Sequence, residues 1–456
     1  MKTIIRLKTS VLLIALTGMM QGQINPDITL FGEKVQASSI DPVNSVIRCG
    51  TTEYESYLRK TDKNRASEEE FEAWLAPEVE KTQARMASGR ISADPIIIPV
   101  VVHIIESTMP GLGPNISDAR VESQITVLNQ DYRRMFGTPG YNTDPVGADI
   151  GIEFRLAKVD PNGNPTNGIN RVKLNGTWTG TTFETVKPGT QWDPNRYFNI
   201  WVCEFGEAAS DLLGYAQFPQ NSGLGGMEEP PFTANTDGVV ISWKAFGSQA
   251  LVNEGAYLSP YNGGRTLTHE IGHALGLRHV WGDNSSCVYN AQDTTKDYCP
   301  DTPPTNTSYG GCQVTAMSCK AGTYAMVRNY MDYSNDACLN IFTQNQKARI
   351  LTVLQKSPRR LSLTTSNVWL SVDEAKASPE TVSLYPNPVR NELNVKLGNS
   401  GEYATGYTIY DNIGLFITKG EINKKAEFKI NTIGFSSGVY FLVVTTNKNS
   451  QKMRFI

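Results

Sequence analysis

A large charge imbalance and a membrane-spanning apolar run are both missing from this sequence. Its 456 residues carry a net charge of −3, which gives no electrostatic reason to expect nucleic acid or an acidic membrane surface as a partner. The apolar run at residues 11–20 is too short to cross a bilayer comfortably, and no other run is long enough. Because basic residues precede this run and small ones follow it, we predict a signal peptide over residues 1–22 rather than a membrane anchor. We therefore expect no transmembrane segment in the mature chain.

Cysteine is scarce as well, and its seven copies are unevenly placed. Five of them lie between residues 287 and 338 in a loop-rich stretch, which in an exported protein predicts disulfide bonds. Cys203 lies in the apolar run YFNIWVCEF, where we expect a buried and inert thiol. Cys49, between Arg48 and Gly50, stands alone near the start of the chain, and neither prediction explains it.

The pattern of residues changes several times along the chain. Residues 23–90 are polar and charged, with one predicted helix at SEEEFEAWLAPEVEKTQARMA, where Ser67 and Glu70 resemble a capping box. Residues 91–360 alternate strand-like runs, helices and long loops, which predicts an α/β (α+β) domain. Residues 361–378 favour a linker. Residues 379–456, with short alternating strands between Asn, Gly and Pro, predict a small all-β sandwich.

Three of the chain's four histidines lie in THEIGHALGLRH. His269 and His273 are four residues apart, so on a helix they share one face and can both reach a single Zn²⁺. Gly276 permits the left-handed conformation that ends a helix, and the turn lets His279 approach from another side. Three neutral nitrogen ligands leave the fourth position to water, which is the catalytic arrangement of zinc. Glu270 would act there as general base on the zinc-bound water.

The long motif HExxHxxGxxH is far more specific than its first five residues, and it is the signature of the metzincin clan of zinc endopeptidases. VRNYMDYSNDAC is similar to the clan's second feature, a tight turn beneath the metal, with Met331 as the turn methionine. Tyr333 matches a tyrosine that in several metzincin families helps to stabilise the oxyanion. Together with GRTLTHEIGHALGLRHVWGD, DTPP, GCQ and FTQNQKARI, residues 95–355 resemble the pappalysin family in its short bacterial form.

The pappalysin resemblance implies two disulfides and a calcium site. The disulfides carry over as Cys287 with Cys319 and Cys312 with Cys338. Calcium would bind the loop TTKDYCPDTPPT, through the carboxylates of Asp297 and Asp301 and the carbonyls of Cys299 and Thr302. Family members usually carry a small aliphatic residue at the place of Cys299, so its redox state stays open. The alternative for the two aspartates is a solvated turn.

The resemblance also implies a specificity pocket. An aspartate shortly after the Met-turn lies, in the bacterial relatives, at the base of the pocket for the residue that follows the scissile bond, and Asp336 matches it. A carboxylate there would select Arg or Lys, so we predict cleavage on their N-terminal side. The alternative is that Asp336 only hydrogen-bonds its own loop. We also expect the strand in DGVVISW to pair with extended substrate backbone as an edge strand.

A thiolate can replace the catalytic water on zinc, and this offers a role for Cys49. The sequence RCG resembles the cysteine-switch motif of matrix metalloproteinase propeptides. Arg48 would pair with an acidic group in the cleft, and Gly50 would let the backbone pass close to the metal. We therefore predict that residues 23–90 are an inhibitory propeptide, removed by cleavage in or near QARMASGRISAD. The alternative is a stray thiol or a further disulfide partner.

The C-terminal segment resembles the type A sorting domain of the type IX secretion system, through LYPNPVRNELNV and SSGVYFLVV. This implies the type IX machinery as a partner and a secreted or surface-attached product. The chain is thus predicted to be a secreted, zymogenic zinc endopeptidase acting on proteins or peptides. A zinc-containing surface adhesin without proteolytic activity is the alternative, although an open coordination position argues against a structural zinc. A processing protease with one dedicated target also stays open.

Overall fold

A computed structural model describes residues 28–41, 44–88, 95–106, 114–174, 176–206, 209–219, 235–294, 296–371, 382–398, 401–411, 415–448 and 450–456. The predicted signal peptide lies outside these ranges, as do residues 89–94 of the predicted activation segment. Within the described ranges, no helix has the length and apolar character that crossing a bilayer requires.

A six-stranded sheet forms the centre of the larger domain. Its middle strand, β3 (Ile96–Glu106), is a run of Ile and Val buried on both faces, as parallel sheets require. It pairs in parallel with β4 (Ile152–Leu156), β5 (Ile169–Lys173) and β6 (Phe198–Cys203). Beyond β6 come β8 (Val239–Ser242) and then β7 (Gly214–Ala216), the antiparallel edge strand.

The predicted edge strand in DGVVISW was therefore wrong. These residues contain β8, which pairs with β6 on one side and with β7 on the other, so its backbone has no open edge. The apolar run of β8 is buried throughout, which is the pattern of an interior strand. The edge that faces the cleft belongs to β7 and to the residues just before it.

Helices and the N-terminal segment cover the two faces of the sheet. One face carries α3 (Asp118–Tyr132) and α6 (Arg265–Ala274), followed by α7 (Gln344–Lys356) and α8 (Pro358–Leu363). The other face carries the short helices α4 (Gly180–Phe183) and α5 (Lys187–Thr190). It is also covered by residues 28–61, which contain β1 (Thr29–Leu30), β2 (Glu33–Lys34) and α1 (Thr51–Thr61).

The predicted helix of the N-terminal segment is α2 (Glu68–Ala87), and its predicted capping box is confirmed. The Ser67 side chain accepts a hydrogen bond from the Glu70 amide, and the Glu70 carboxylate accepts one from the Ser67 amide. These bonds satisfy two of the free amides at the start of the helix. The helix packs on α7 of the larger domain through Phe71, Leu75 and Val79.

The C-terminal residues form the predicted all-β sandwich. One sheet holds β9 (Val382–Tyr385), β10 (Glu392–Leu397) and β13 (Glu427–Asn431), and the other holds β11 (Ala404–Asp411), β12 (Phe416–Lys425), β14 (Tyr440–Thr446) and β15 (Ser450–Phe455). The predicted linker starts too early at residue 361. Helix α8 runs to Leu363, and Val368 is buried against the larger domain, where its carbonyl accepts the Lys158 amide.

Candidate active site

The helix α6 places two histidines on one face at the floor of the cleft. All of its residues are buried, because it runs through the core rather than across the surface. It ends at Ala274, and two residues further on Gly276 has a φ of 89°, in the left-handed region. A Cβ at this glycine would also lie 2.7 Å from Val353. The turn it permits brings His279 back toward His269 and His273.

The three imidazoles converge through their Nε2 atoms, which lie 3.1 to 3.3 Å apart. Each Nδ1 faces an oxygen that only accepts: the carbonyls of Tyr330 and Leu277 and the carboxylate of Asp283, at 2.7, 2.8 and 2.7 Å. Each Nδ1 therefore carries the proton, and three lone pairs point at one another. Burial, with the neighbouring histidines, keeps the pKa of both His269 and His273 well below the usual value. Neutral rings with converging lone pairs are what a divalent metal requires.

Cys49 completes a four-membered cluster. Its Sγ and the three imidazoles offer ligand atoms that all lie within 4.8 Å of one another, and its side chain is buried. Burial, followed by the charge of Glu270, raises the pKa of Cys49 well above the usual value. Only a cation at this place would make the thiolate favourable.

Glu270 lies beside the cluster and is fully buried. Its Oε2 accepts hydrogen bonds from the Thr51 hydroxyl at 2.9 Å and the Cys49 thiol at 3.4 Å, whereas its Oε1 has no partner among the described residues. Burial raises the pKa of Glu270 to about 8.

The turn beneath the cluster contains Met331 and Tyr333. Met331 is fully buried and packs against Gly272. A Cβ on this glycine would lie only 2.5 Å from the Met331 sulfur. The absence of a side chain at this helical glycine is thus what lets the turn approach α6. The hydroxyl of Tyr333 lies 3.1 Å from Nε2 of His279, so it can reach a group bound at the imidazoles.

Asp336 lies at the N-terminal end of α6. Its Oδ2 accepts the backbone amides of Gly263 and Arg265 at 2.8 and 3.1 Å. These donors belong to the start of the helix and not to its own loop, which speaks against the alternative we considered. Its Oδ1 lies 3.5 Å from both terminal nitrogens of Arg48. Both side chains of this ion pair are almost fully buried, at 2% and 1% exposure.

Arg48 is held by further contacts in the same pocket. It donates to the Thr266 hydroxyl at 3.0 Å and to the Ser334 carbonyl at 3.3 Å, and its guanidinium lies 4.4 Å from the centre of the Tyr261 ring. A carboxylate, polar acceptors and an aromatic wall are typical of a site built for a guanidinium.

The backbone around Arg48 pairs with the edge of the sheet. The Ile47 amide donates to the Asp211 carbonyl, the Leu213 amide donates to the Ile47 carbonyl, and the Gly50 amide donates to the Gly214 carbonyl, each at 2.9 Å. The bridge runs parallel to the edge. Residues 47–50 thus lie along the cleft as an extra strand.

Comparisons with known proteins agree with this geometry. Residues 180–355 match the family described as Pregnancy-associated plasma protein-A. An extracellular metalloprotease from Arthroderma otae is 30% identical over 261 residues, covering 57% of this chain and 78% of that protein. The chain belongs to the pappalysin family of metalloproteases. As a metalloendopeptidase it carries a catalytic metal, so the alternative of a non-enzymatic adhesin is not supported.

Solved structures and a second family model extend the comparison. Mirolysin in complex with compound 9 is 38% identical, covers 60% of this chain and 97% of its own, and gives a TM-score of 0.50. A promirolysin mutant from Tannerella forsythia is 34% identical and gives the same TM-score. The match covers 70% of this chain and 97% of the promirolysin chain. The predicted metzincin-type fold is thus confirmed. Residues 383–456 match a secretion system C-terminal sorting domain, which makes this pappalysin a secreted or surface protein.

Both predicted disulfides are present in this pappalysin. Cys287 bonds to Cys319, and Cys312 bonds to Cys338. Cys203 and Cys299 are free and buried. The prediction of an inert thiol at Cys203 agrees with a pKa that burial raises well above the usual value.

The predicted calcium ligands are distributed differently from our expectation. Asp301 turns to the start of α7, where its carboxylate accepts the Thr343 hydroxyl and the Asn345 amide at 2.7 and 2.9 Å. Asp297 accepts the Thr302 hydroxyl, which also donates to the Cys299 carbonyl. The acidic neighbour of Asp297 is instead Asp293, which is buried and was not singled out from the sequence.

Other functional candidates were also missed. Thr51 bonds to Glu270, and Asp283 fixes the ring of His279. Asp283 lies four residues after His279, and a carboxylate at such a distance from a metal-binding histidine could have suggested the contact. The most distant missed contact joins Glu72 of α2 to Arg278 and Arg349, described below.

Proposed function

We propose that this pappalysin is a latent zinc endopeptidase that cuts proteins on the N-terminal side of Arg or Lys. The observation that supports the proposal is the position of residues 48 and 49. Cys49 faces the three histidines while its neighbour Arg48 fills the pocket of Asp336. The latent chain thereby places an arginine beside the catalytic cluster, in the pocket we assign to the residue after the scissile bond.

Zinc fits the cluster, because His269, His273 and His279 each present an unprotonated Nε2 atom and Cys49 offers a fourth ligand. When bound, zinc supplies Lewis-acid activation of water and of the scissile carbonyl. Glu270 takes the proton of the attacking water and passes it to the leaving amine. The Tyr333 hydroxyl donates to the oxyanion as it develops.

The Asp336 pocket sets specificity. Two backbone amides hold one carboxylate oxygen, so the other is free to pair with a cation. Arg fits best, since its fork reaches both Asp336 and the Ser334 carbonyl, as Arg48 does. Lys would bind by charge alone.

Latency follows from chain direction. A substrate cut before Arg runs from the metal to the Asp336 pocket in the N-to-C direction. The latent segment runs the opposite way, because Arg48 precedes Cys49, and it lies parallel to the edge strand. The segment occupies both places without presenting a scissile bond to Glu270. Thr51 also engages the Glu270 carboxylate.

The domain limits that support this role are proposals as well. Residues 1–22 are the signal peptide and 23–90 the inhibitory propeptide. The catalytic domain starts at residue 91 and includes Val368, and the sorting domain, which uses the type IX machinery, starts at residue 379. Promirolysin covers 70% of this chain and mirolysin 60%, which supports a pro-segment in addition to the catalytic domain.

Calcium fits the loop after the zinc motif. Asp293 and Asp297 are buried as neighbours, and burial raises the pKa of each. Both oxygens of Asp293 lack a hydrogen-bond partner among the described residues. Two adjacent buried carboxylates favour a hard cation, so we propose Asp297 and Asp293 as ligands, with the carbonyls of Cys299 and Thr302 as further candidates. Asp301 is committed to the start of α7.

The first experiment compares the purified chain with its Cys49→Ala variant on a peptide with one internal Arg, following the products by mass over time. We expect a lag for the wild type and immediate cleavage before Arg for the variant. Equal lags would exclude Cys49 as the latch. Absence of cleavage after propeptide removal, with zinc and calcium present, would contradict the proposed activity.

A further inference from the structure

A buried carboxylate joins α2 to the catalytic domain. Glu72 forms a two-pronged ion pair with Arg349, with Nη1–Oε2 and Nη2–Oε1 distances of 2.7 and 2.9 Å, and accepts a third bond from Nε of Arg278 at 2.8 Å. The exposed fractions of the Glu72 and Arg349 side chains are 6% and 2%. Burial alone would raise the pKa of Glu72, but Arg349 and Arg278 hold it below the usual value.

Both arginines lose their acidic partners if α2 departs. Arg278 pairs with Glu68 and Glu72, which both belong to α2. Apart from Glu72, the acceptor of Arg349 among the described residues is the Gly276 carbonyl. In the described part of the catalytic domain, no carboxylate hydrogen-bonds either guanidinium, and Nη2 of Arg278 is buried without a partner. Departure of α2 would therefore leave two adjacent guanidinium groups without a carboxylate partner, in a position to bind another one.

The pair lies at one end of the cleft. The Gly214 carbonyl bonds to Gly50, beside the metal cluster, and the chain continues through β7 to Phe218. The guanidinium of Arg278 lies 5.0 Å from the centre of the Phe218 ring. Asp336, at the pocket after the scissile bond, lies beyond Arg48 in the other direction. The two arginines thus face substrate residues that precede the scissile bond.

We propose that Arg278 and Arg349 form a carboxylate-binding subsite, which takes an Asp or Glu side chain of the substrate N-terminal to the scissile bond. Glu72 fills this subsite in the latent chain. The inference rests on the proposed loss of residues 23–90. Its chemistry is that of a guanidinium fork with a carboxylate, supplemented by a second guanidinium. The preferred substrate would then carry an acidic residue before the cut and a basic residue after it.

The test uses the full chain after it has removed its propeptide. Peptides with one Arg are made in pairs that differ only by Glu or Gln, placed at each of the third to sixth positions before the cut. At one position we expect kcat/KM to be about tenfold higher for Glu, the effect of a hydrogen bond to a charged group. In Arg349→Gln this ratio falls to about one, whereas the matched control Arg328→Gln, at an exposed arginine, retains it. Equal rates at all positions in the wild type would overturn the inference.

A binding measurement covers the other outcomes. A labelled peptide of residues 68–87 should bind the activated enzyme about tenfold more tightly than its Glu72→Gln version. If neither Arg peptide is cleaved, the proposed specificity fails, and the binding ratio alone decides the subsite. If Arg349→Gln does not fold, the wild-type Glu-to-Gln ratio decides. Equal binding of the two peptides, or a fragment 68–87 that stays on the activated enzyme and cannot be displaced, would overturn the inference.

Discussion

Replacing Arg48 by alanine should loosen the latent segment by an amount that the structure allows us to work out. The substitution removes a buried ion pair and leaves Asp336 with only its two backbone donors. Breaking a buried pair costs about 3–5 kcal/mol. The distances of 3.5 Å are long, and water can refill the pocket, so we expect about 2 kcal/mol. This corresponds to a roughly thirtyfold larger open population.

Hydrogen exchange of the Gly50 amide measures this population directly. This amide bonds to the Gly214 carbonyl only while the segment lies in the cleft, so its exchange should become roughly thirtyfold faster in Arg48→Ala. Both proteins carry Glu270→Gln so that they cannot cut themselves. Peptides covering residues 45–52 are followed by mass, with those from β3 as internal reference.

Two control variants test whether the faster exchange comes from loss of the Arg48 fork. Arg48→Lys keeps the charge without the fork and should give an intermediate rate. Lys60→Ala removes an exposed pair with Glu33 and should change exchange by less than about threefold. If Arg48→Ala exchanged at the wild-type rate, the pocket of Asp336 would not hold the segment, and Arg recognition by Asp336 would be contradicted.

Three further predictions concern other parts of the chain. In the activated enzyme, Glu270→Gln should lower kcat by about 10²–10⁴-fold with KM little changed, as expected for loss of a general base; a change in KM alone would contradict that role. The depressed pKa of Glu72 means that its pairing with Arg349 stabilises the latent form above about pH 4.5 and is lost as pH falls through the folded value. Thermal unfolding of wild type and Glu72→Gln should therefore differ at pH 7 and converge in acid. Calcium chelation should lower Tm in the wild type and much less in a variant with Asp293→Asn and Asp297→Asn, and equal losses would place the ion elsewhere.

Features set by neighbouring residues could be predicted from the sequence, whereas contacts between distant residues could not. The spacing of His269 and His273 depends only on helix geometry, and the turn to His279 needs one glycine, so the cluster could be expected from a dozen residues. The capping box of α2 is equally local. The close approach of α6 and the Met-turn depends on Gly272. In the sequence this residue is simply a glycine within a predicted helix, and nothing nearby indicates its contact with Met331.

The missed contacts join residues that are far apart in the chain. Arg48 and Asp336 are separated by 288 positions, and Glu72 and Arg349 by 277. We predicted an acidic partner for Arg48 but could not say which, because sequence separation carries no information about pairing across a fold. The choice between ligands in the calcium loop is limited by something else. Asp301 and Asp293 are both plausible ligands by composition, and only the start of α7 shows that Asp301 is occupied.

The backward direction of residues 47–50 has a consequence for the order of the activation reaction. If residues 23–90 are the proposed propeptide, a molecule whose cleft is filled by its own segment does not offer that cleft to its own activation site, and we expect the first cut to come from a different copy that is already open. Conversion is then bimolecular, and its rate grows with the product of the open and latent concentrations. A dilute population stays dormant, whereas a crowded one converts along a sigmoidal time course. On the proposed latency, the two contacts of Arg48 and Cys49 would make proteolysis respond to how many copies have accumulated outside the cell.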